Sequence, residues 1–143
     1  MPKNIHIKNR KASFDYFFIE EFDAGVQLFG SEVKSIISGK VSMVDSFCFF
    51  EKDELYIKGL NISSMGDFAP DPLRVRKLLL KRKELNRISR ELNPGISIVP
   101  ILIFTNERGK IKIRIALSKG KKNYDKRNSI KERELSREIK SLT

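Results

Sequence analysis

The feature that most constrains the fold of this chain is a two-residue alternation of apolar and basic side chains in segment 110–117. Isoleucine stands at positions 111, 113 and 115, and basic residues stand at 110, 112 and 114. A period of two is the period of side chains along a β-strand, so this segment predicts a strand with one face in a core. The apolar segment 96–104 precedes it across a turn at 106–109, which predicts a hairpin. Pro100 cannot donate a ladder hydrogen bond and therefore marks an edge or a bulge.

Four earlier segments are also predicted to be strands, because apolar residues alternate or cluster in them between turn residues. The first two strands are expected at 14–22 and 26–29, joined by a turn at Asp23-Ala24-Gly25. The segment 14–22 carries apolar residues on both faces, which predicts substantial burial on both sides. The next two strands are expected at 44–50 and 55–60, and three aromatic residues there are expected in the core: Phe47, Phe49 and Phe50.

Two helices are predicted between the strands. A short helix is expected over 31–37, with Ser31 as its N-cap and Gly39 just past its end. A long helix is expected over 74–92, after a loop at 63–72 and before the breaker Asn93-Pro94-Gly95. Helical spacing predicts that one face of this helix packs in the core, and that face carries Leu78, Leu85, Ile88 and Leu92. The opposite face is predicted to be a basic ridge of Lys83, Arg87 and Arg90. Leu79 and Leu80 lie outside this core face. They either cover one end of the barrel or contact a partner.

These elements predict a mainly β fold with inserted helices, an antiparallel barrel of about six strands that is closed or nearly closed. A flat sheet covered by one helix is the alternative.

The segment 1–13 forms a basic arm. The segment 119–143 carries nine Lys or Arg against four Asp or Glu, and it buries too little apolar surface to offset its ordering entropy. We therefore expect a domain over 1–118 and a basic tail over 119–143 that is disordered when free and helical on an anionic partner.

The charge balance indicates a polyanionic partner. The 143 residues include 29 Lys and Arg against 18 Asp and Glu, a formal net charge of +11. Nucleic acid is the partner that this charge favours, with an acidic lipid surface or simple basic solubility as alternatives. The first ten residues lack the apolar core of a signal peptide, and no apolar run has the length of a membrane span. The single cysteine, Cys48, excludes an internal disulfide, and we expect a cytoplasmic protein with no membrane partner.

The residue types that carry enzyme chemistry are sparse and scattered. His6 and Cys48 are the single histidine and cysteine and lie far apart, which disfavours a nucleophile–base pair. Neither a metal-ligand spacing nor a phosphate-binding glycine loop occurs. A small enzyme that uses carboxylates is the least favoured hypothesis, and its candidates are expected to be exposed hairpin residues: Asp15, Glu20, Glu21 and Asp23. We expect no catalytic residue, no metal and no cofactor.

Several segments together resemble the SmpB family of SsrA-binding proteins, in the order that the family has them. Each segment alone is a weak match, whereas their combination is specific, and the resemblance extends from residue 9 to residue 134. The segments are Asn9-Arg10-Lys11-Ala12, Phe22-Asp23-Ala24-Gly25, Gly30-Ser31-Glu32-Val33-Lys34-Ser35, Gly39-Lys40-Val41, Asp45-Ser46, Asp71-Pro72-Leu73-Arg74-Val75-Arg76-Lys77-Leu78-Leu79-Leu80 and Lys119-Gly120-Lys121-Lys122-Asn123-Tyr124-Asp125-Lys126-Arg127.

The resemblance implies an OB-like antiparallel barrel with flanking helices. It also implies a non-enzymatic factor that binds the tRNA-like domain of transfer-messenger RNA (SsrA RNA) and brings it to stalled ribosomes in trans-translation. The barrel would contact the elbow of the tRNA-like domain, and the tail would lie as a helix in the decoding centre and the empty mRNA channel. The implied result is ribosome rescue and tagging of incomplete peptides, by a monomer linked to elongation factor Tu only through the charged RNA.

The resemblance also implies site residues, position by position. The expected RNA contacts are Asn9, Arg10, Asp23, Lys34, Arg76, Lys77, Leu79, Lys119, Lys121 and Lys122. The expected decoding-centre contacts are Tyr124, Asp125, Lys126 and Arg127, with the tyrosine able to stack on a ribosomal base. The tail helix is expected over 130–142, capped by Asn128 or Ser129. The chain departs from the family pattern where Asp23 replaces Glu, where Leu135 replaces an aromatic residue, and in its short loop 63–69.

The competing hypothesis is a general RNA-binding barrel whose tail is only an electrostatic anchor. An anchor tolerates Asp125→Ala and charge-preserving scrambling of the tail, because counterion release depends mainly on how many charges meet phosphate. A tail that acts in the decoding centre requires particular side chains at fixed positions. The two hypotheses therefore differ in what they predict for single tail residues.

Overall fold

The computed structural model describes residues 4–142, without the side chains of residues 129, 132 and 135–142. In that range it contains β1 (His6–Lys8), β2 (Tyr16–Val26), β3 (Val41–Ser42), β4 (Phe47–Glu51), β5 (Glu54–Lys58), β6 (Asn61–Ile62), β7 (Arg76–Leu79), β8 (Ile96–Thr105) and β9 (Ile111–Gly120). The helices are α1 (Arg10–Asp15), α2 (Gly30–Ile37), α3 (Arg82–Glu91) and α4 (Asn123–Leu142).

Six antiparallel strands form a closed ring in the order β8, β4, β5, β7, β2 and β9, because β9 pairs back with β8. The closed ring confirms the predicted mainly β barrel and excludes the flat sheet. β1 pairs with β8 outside the ring, and β3 and β6 form a separate two-stranded sheet. The ladders that β9 makes with β2 and β8 have nine paired positions each, so β9 is the best anchored strand of the ring.

Aliphatic side chains from alternate strand positions fill the inside of the ring. Ile113 and Ile115 of β9 are buried, as the two-residue period predicts, and each contributes about 1.5–3 kcal/mol by leaving water. Leu85 and Ile88 of α3 belong to the same core cluster. The pairing of β8 with β9 shifts register just after Pro100, which confirms the predicted bulge.

The predicted turn at Asp23-Ala24-Gly25 is wrong, because β2 continues through these residues to Val26. Both edges of β2 are occupied there: β9 pairs with it as far as Gly25, and β7 pairs with its last two residues. Phe22 and Ala24 both point into the core, so the two-residue period persists across the apparent turn. The predicted burial of both faces is also wrong near the start of β2, where three large side chains are exposed: Phe17, Phe18 and Ile19.

The predicted helix over 74–92 is wrong in its first half, which forms strand β7, and correct in its second half, which forms α3. β7 lies between β5 and β2, with Arg76 and Lys77 paired to β5 and Leu78 and Leu79 paired to β2. Pairing on both edges overrides the helix propensity of these residues, which is a weak preference worth tenths of a kcal/mol each.

The predicted hairpin of 44–50 and 55–60 is confirmed as β4 and β5. Its turn residues Lys52 and Asp53 have φ values of +48° and +63°, the left-handed pair that a tight hairpin turn requires. The prediction that all three aromatic residues of β4 lie in the core is wrong. Phe50 packs against the core, whereas Phe47 lies on the outer face and is 45% exposed.

Helix α2 confirms the predicted short helix but not its predicted cap. The helix begins at Gly30, so Ser31 lies inside it. The Glu32 carboxylate accepts the backbone N–H of Phe29 at 2.9 Å and thereby satisfies a donor at the helix start. Gly39 follows the helix with a φ of +78°, the left-handed conformation that glycine adopts past a helix end.

A buried ion cluster joins α2 to β7. Glu32 and Arg76 are both fully buried, and Arg76 Nε donates to Glu32 Oε2 at 2.7 Å. The Arg76 guanidinium also donates to the carbonyl of Leu60 at 2.7 Å and to that of Pro72 at 3.1 Å. Arg74 donates to the same carboxylate from its outer side, with Nε to Oε2 at 3.0 Å. The buried charges are therefore paired and hydrogen-bonded, which is the condition for keeping them inside a protein.

We expect Glu32→Ala to lower the free energy of unfolding by about 3–5 kcal/mol, because Arg76 would keep a buried charge without its counterion. Urea denaturation measures this loss. Glu51→Ala, at an exposed position of β4, is the matched control and should change stability by less than about 0.5 kcal/mol. Similar losses in the two variants would contradict the role assigned to the cluster.

The cluster also predicts how stability changes in acid. Burial acts to raise the pKa of Glu32, but hydrogen bonds from Arg74, the Phe29 backbone and Arg76 outweigh it, so this pKa lies below its reference value of 4.5. A depressed folded-state pKa gives stability that is complete above the unfolded-state pKa and is lost as pH falls through the folded-state value. Denaturation at a series of pH values below 4.5 should show a shallower acid loss in Glu32→Gln than in the unaltered protein.

Candidate RNA interface

The outer side of β2, β7 and β9 carries a patch that we call the Asp23 face, formed by Asp23, Gly25, Leu79, Lys112 and Arg114. Asp23 stands opposite Arg114 across the β2–β9 ladder. Arg114 Nε donates to Asp23 Oδ1 at 2.7 Å, and Nη2 donates to Oδ2 at 3.4 Å. The hydrogen bond to Asp23 raises the pKa of Arg114 above its ordinary value. Both side chains remain partly exposed, so lone pairs and N–H groups are left for a ligand.

Leu79 lies beside this ion pair because β7 approaches β2 closely at Gly25. A Cβ atom at Gly25 would lie 3.3 Å from the Cβ atom of Leu79, so the absence of a side chain permits the approach. Leu79 is 47% exposed, whereas Leu80 packs against the core. Leu79 is therefore the outward-facing one of the two leucines, a choice that the sequence leaves open.

Asn9 and Arg10 lie where β1 leads into α1. Asn9 Oδ1 accepts the backbone N–H of Ala12 at 3.2 Å, and Nδ2 donates to the carbonyl of Pro100 at 2.7 Å. The Asn9 amide therefore caps α1 and ties it to the bulge of β8. Arg10 is exposed and lines a cavity of about 260 Å³ together with Arg114, which links α1 to the Asp23 face.

The structure places three further predicted RNA contacts, Arg76, Lys77 and Lys34, in three different environments. Arg76 is removed from the RNA contacts, because its side chain has no exposed surface and is committed to Glu32. Lys77 is partly exposed, and its ammonium lies 4.0 Å from a carboxylate oxygen of Glu54. Lys34 is exposed on α2. The RNA contacts of Lys34 and Lys77 stay predictions.

The tail helix α4 begins at Asn123 rather than at residue 130. The Asp125 carboxylate explains the earlier start, because its Oδ2 accepts the backbone N–H of Lys122 at 3.2 Å in the manner of a helix cap. Positions 128 and 129 consequently lie inside the helix, so the predicted start of the helix is wrong. The predicted boundary at residue 119 falls within β9, which ends at Gly120. Disorder of the free tail stays a prediction.

The start of the tail is attached to α1. The backbone N–H of Lys121 donates to the carbonyl of Asp15 at 2.8 Å. Lys126 Nζ lies 3.5 Å from Asp15 Oδ1. The ring of Phe14 lies beneath the cationic groups of Lys126 and Arg133, at 6.0 and 5.7 Å from the ring centroid. Since Lys126 and Arg133 are seven residues apart, they share one helix face, and the contacts orient α4 as well as holding its first turn.

The remaining tail residues differ in exposure. Tyr124 is 61% exposed, and Lys119, Lys122 and Arg127 are also exposed. We call this end of the barrel, from Lys119 to Arg127, the tail root. Tyr16 pairs with Gly120 at the tail root, and Asp23 lies about 20 Å away along β2 at the ordinary rise per strand residue. The tail root and the Asp23 face therefore lie at opposite ends of one ladder.

Sequence reasoning missed the partners that organise both sites. It assigns Arg114 only to an outward strand position, and it treats Asp15 only as an exposed hairpin residue. Register supplies the missing information, because Arg114 stands opposite Asp23 and Asp15 meets Lys121 where β9 ends. A single sequence contains no direct signal for a register between strands this far apart.

Neither a metal site nor a membrane-spanning helix is found among the described residues. Among the described residues, no three His, Cys, Asp or Glu side chains are grouped so as to hold a metal ion. In the same part of the chain, none of the helices has the length and apolar character needed to cross a bilayer. Cys48 is buried, and burial raises the pKa of its thiol, which disfavours the reactive thiolate.

Comparison with known families and proteins gives one consistent result. The family model described as SmpB protein matches residues 6–143. An SsrA-binding protein of Cytophaga hutchinsonii is 48% identical over 144 aligned residues, which cover 98% of this chain and 94% of that protein. An SsrA-binding protein of Anaplasma phagocytophilum is 49% identical, with 94% and 93% of the two chains covered.

A solved structure is similar over nearly the same extent. It is described as "tmRNA-SmpB: a journey to the center of the bacterial ribosome", and its matching chain is 39% identical to this one with a TM-score of 0.69. The match covers 91% of this chain and 95% of that chain. The family match over residues 6–143 includes both the barrel and the tail.

We expect the contacts with α1 to protect the first turns of α4 from hydrogen exchange. The double variant Phe14→Ala, Asp15→Asn removes the ring and the ion pair, and it should speed exchange of the amides of residues 126–130 by about tenfold. Amides of the barrel should be unaffected. The control variant Asp67→Asn, Phe68→Ala alters the same residue types in an exposed loop. Unchanged exchange in α4 would show that α1 does not hold the tail.

Proposed function

This chain belongs to the SmpB protein family, and on that basis we propose that it is a non-enzymatic RNA-binding factor of trans-translation. It binds the tRNA-like domain of transfer-messenger RNA and delivers that RNA to stalled ribosomes. Its tail probes the decoding centre and the empty mRNA channel. The outcome is rescue of the ribosome and tagging of the incomplete peptide for degradation.

The observation that carries the proposal is the separation of two basic sites on one rigid ladder. The Asp23 face lies at one end of β2 and β9, and the tail root lies at the other. A factor that holds one RNA while presenting a tail to another site needs its two surfaces apart and fixed relative to each other. The nine paired positions between β2 and β9 supply that rigidity.

The Asp23 face offers three kinds of contact to the elbow of the tRNA-like domain. The carboxylate of Asp23 accepts from exocyclic amines or 2′-hydroxyl groups, and Arg114 keeps it in place. Leu79 offers an apolar side chain to an unstacked base or a ribose. Cations at and beside the face supply affinity through phosphate, and they include Arg10, Lys77 and Lys112, which are exposed or partly exposed. Lys34, exposed on α2, is a further proposed phosphate contact.

The tail root offers a different set of groups to the ribosome. Lys119 and Lys122 contact phosphate, and Tyr124 stacks on a base of the small-subunit decoding centre. Asp125 fixes the first turn of α4 through the backbone of Lys122. Arg127, one turn beyond Tyr124, is exposed for a further phosphate.

We place the protein in the cytoplasm as a monomer, with elongation factor Tu as an indirect partner through the charged RNA. The second candidate function, general RNA binding with an anchoring tail, is favoured by the net charge of +11 alone. The separation of the Asp23 face from the tail root supports the first, because an electrostatic anchor needs no fixed distance between the two sites.

We expect tight binding to transfer-messenger RNA that persists at higher salt, and weaker, salt-sensitive binding to an ordinary tRNA. Equilibrium titration of both RNAs at two salt concentrations measures the difference. Leu79→Ala should weaken the first complex by about tenfold, as truncation of one central interface residue commonly does.

Leu73→Ala is the matched control for Leu79→Ala, because Leu73 is 54% exposed and lies outside the Asp23 face. It should leave the affinity for transfer-messenger RNA within twofold. Equal binding of both RNAs, lost together at higher salt, would leave only charge as the basis of binding and would favour the general RNA-binding function.

Removal of residues 123–143 should reduce affinity for transfer-messenger RNA only modestly while abolishing peptide tagging. This truncation leaves β9 and the contact of Lys121 with Asp15 intact, so the barrel keeps its fold. A variant whose tail has the same composition in scrambled order distinguishes the trans-translation function from general RNA binding with an anchoring tail. Tagging in a reconstituted translation reaction should fail with the scrambled tail, and full tagging with it would identify the tail as an anchor.

A further inference from the structure

The ring of strands has one weakly joined seam, between β4 and β8. Their pairing consists of one position, Cys48 opposite Ile98, whereas the neighbouring pair of β4 and β5 has five. The strands separate on either side of this contact and leave a cleft of about 610 Å³. Helix α1 and Tyr16 form the third side of the cleft. The barrel therefore contains a cleft whose lining includes no residue of the Asp23 face and none of helix α4.

One side of the cleft is aromatic. Phe47 and Phe49 line it, with ring centroids 6.4 Å apart and planes inclined at 51°. Phe49 in turn stacks on Tyr56, with centroids 5.9 Å apart and planes inclined at 27°. Phe47 is 45% exposed. Its neighbour Phe49 is held in place by the contact with Tyr56. A supported and accessible ring is the element on which a planar ligand stacks.

The rest of the lining combines apolar side chains, among them Leu92, Ile96 and Ile98, with polar and charged ones. Lys11 and Asp45 form an ion pair, with Nζ 2.8 Å from Oδ1, and both line the cleft. Asp45 has a φ of +61°, a left-handed conformation that costs energy outside glycine. Asn9, Asp15 and Ser97 also line the cleft. The carboxylate and hydroxyl oxygens of this set can accept hydrogen bonds from the amino groups of a base.

We propose that the cleft between β4 and β8 binds the base of a single unstacked RNA nucleotide, which stacks on Phe47. The volume lies within the range of small-ligand sites, about 300–1,000 Å³, and is too small for a duplex. Proteins recognise unstacked RNA bases by stacking them on aromatic rings and bonding their edges. The lining has one cation, Lys11, and two carboxylates, Asp15 and Asp45, so it favours the amino groups of a base. The phosphates of the RNA would lie outside the cleft, at exposed cations such as Arg10.

The position of the cleft defines which part of an RNA it would receive. Asp15 lines the cleft and also contacts Lys121 and Lys126 of the tail root. The nucleotide would therefore come from RNA that lies along the tail root. The inference rests on the proposed function only in taking RNA as the partner.

The test is a fluorescence titration of the full-length protein with a labelled oligoadenylate. Phe47→Ala should weaken binding by about tenfold, the loss expected when one stacking ring is removed, and Phe47→Tyr should bind within twofold of the unaltered protein. Phe68→Ala removes a ring that is 100% exposed outside the cleft, and it should have no effect. Binding of Phe47→Ala within twofold of the unaltered protein would overturn the proposal.

A second measurement does not depend on a variant. Titration of the unaltered protein with adenosine monophosphate should shift the ring proton resonances of Phe47, Phe49 and Tyr16, and their constancy at saturating nucleotide would also overturn the proposal. The two proposals fail separately. Loss of selectivity for transfer-messenger RNA with retained dependence on Phe47 refutes the proposed function alone, and the reverse result refutes the nucleotide site alone.

Discussion

The buried ion pair of Glu32 with Arg76 is the interaction on which the rest of this structure depends. It fixes α2 against β7, and the hydrogen bonds of Arg76 to Leu60 and Pro72 draw in the segments on either side. β7 can then pair with β5 and β2 and complete the ring. The same pairing places Leu79 opposite Gly25. An interaction with no exposed surface thus determines the geometry of the proposed RNA-binding face.

The β2–β9 ladder is the second organising element, because it carries both candidate sites. β2 contributes Asp23 at one end and Tyr16 at the other, and β9 runs directly into the tail. A tail that leaves the end of a well-paired strand has a fixed origin and direction, whereas a tail on a loop would have neither. Contacts of Asp15 with Lys121 and Lys126 extend this constraint into the first turns of α4.

Local patterns predicted the elements whose structure is determined locally. The β8–β9 hairpin follows from the alternation of isoleucine with basic residues, and the bulge follows from the missing donor of Pro100. The errors occur where tertiary pairing decides. Asp23-Ala24-Gly25 has the composition of a turn, yet β9 pairs with all three residues and β7 pairs with Gly25. The sequence predicts Arg76 as an RNA contact, since only the folded structure shows that Glu32 lies within reach.

The contrast between two ion pairs explains which charged residues serve structure and which serve binding. Glu32 and Arg76 are fully buried, so removing one partner leaves a charge that water cannot reach, at a cost of several kcal/mol. Asp23 and Arg114 are partly exposed, and such a pair is worth about 1 kcal/mol or less. RNA can therefore compete for Asp23 or Arg114 at little expense to stability, while the pair keeps both groups oriented beforehand. Burial, rather than charge or position in a basic motif, separates the arginine that holds the barrel together from the arginine that is free to exchange partners.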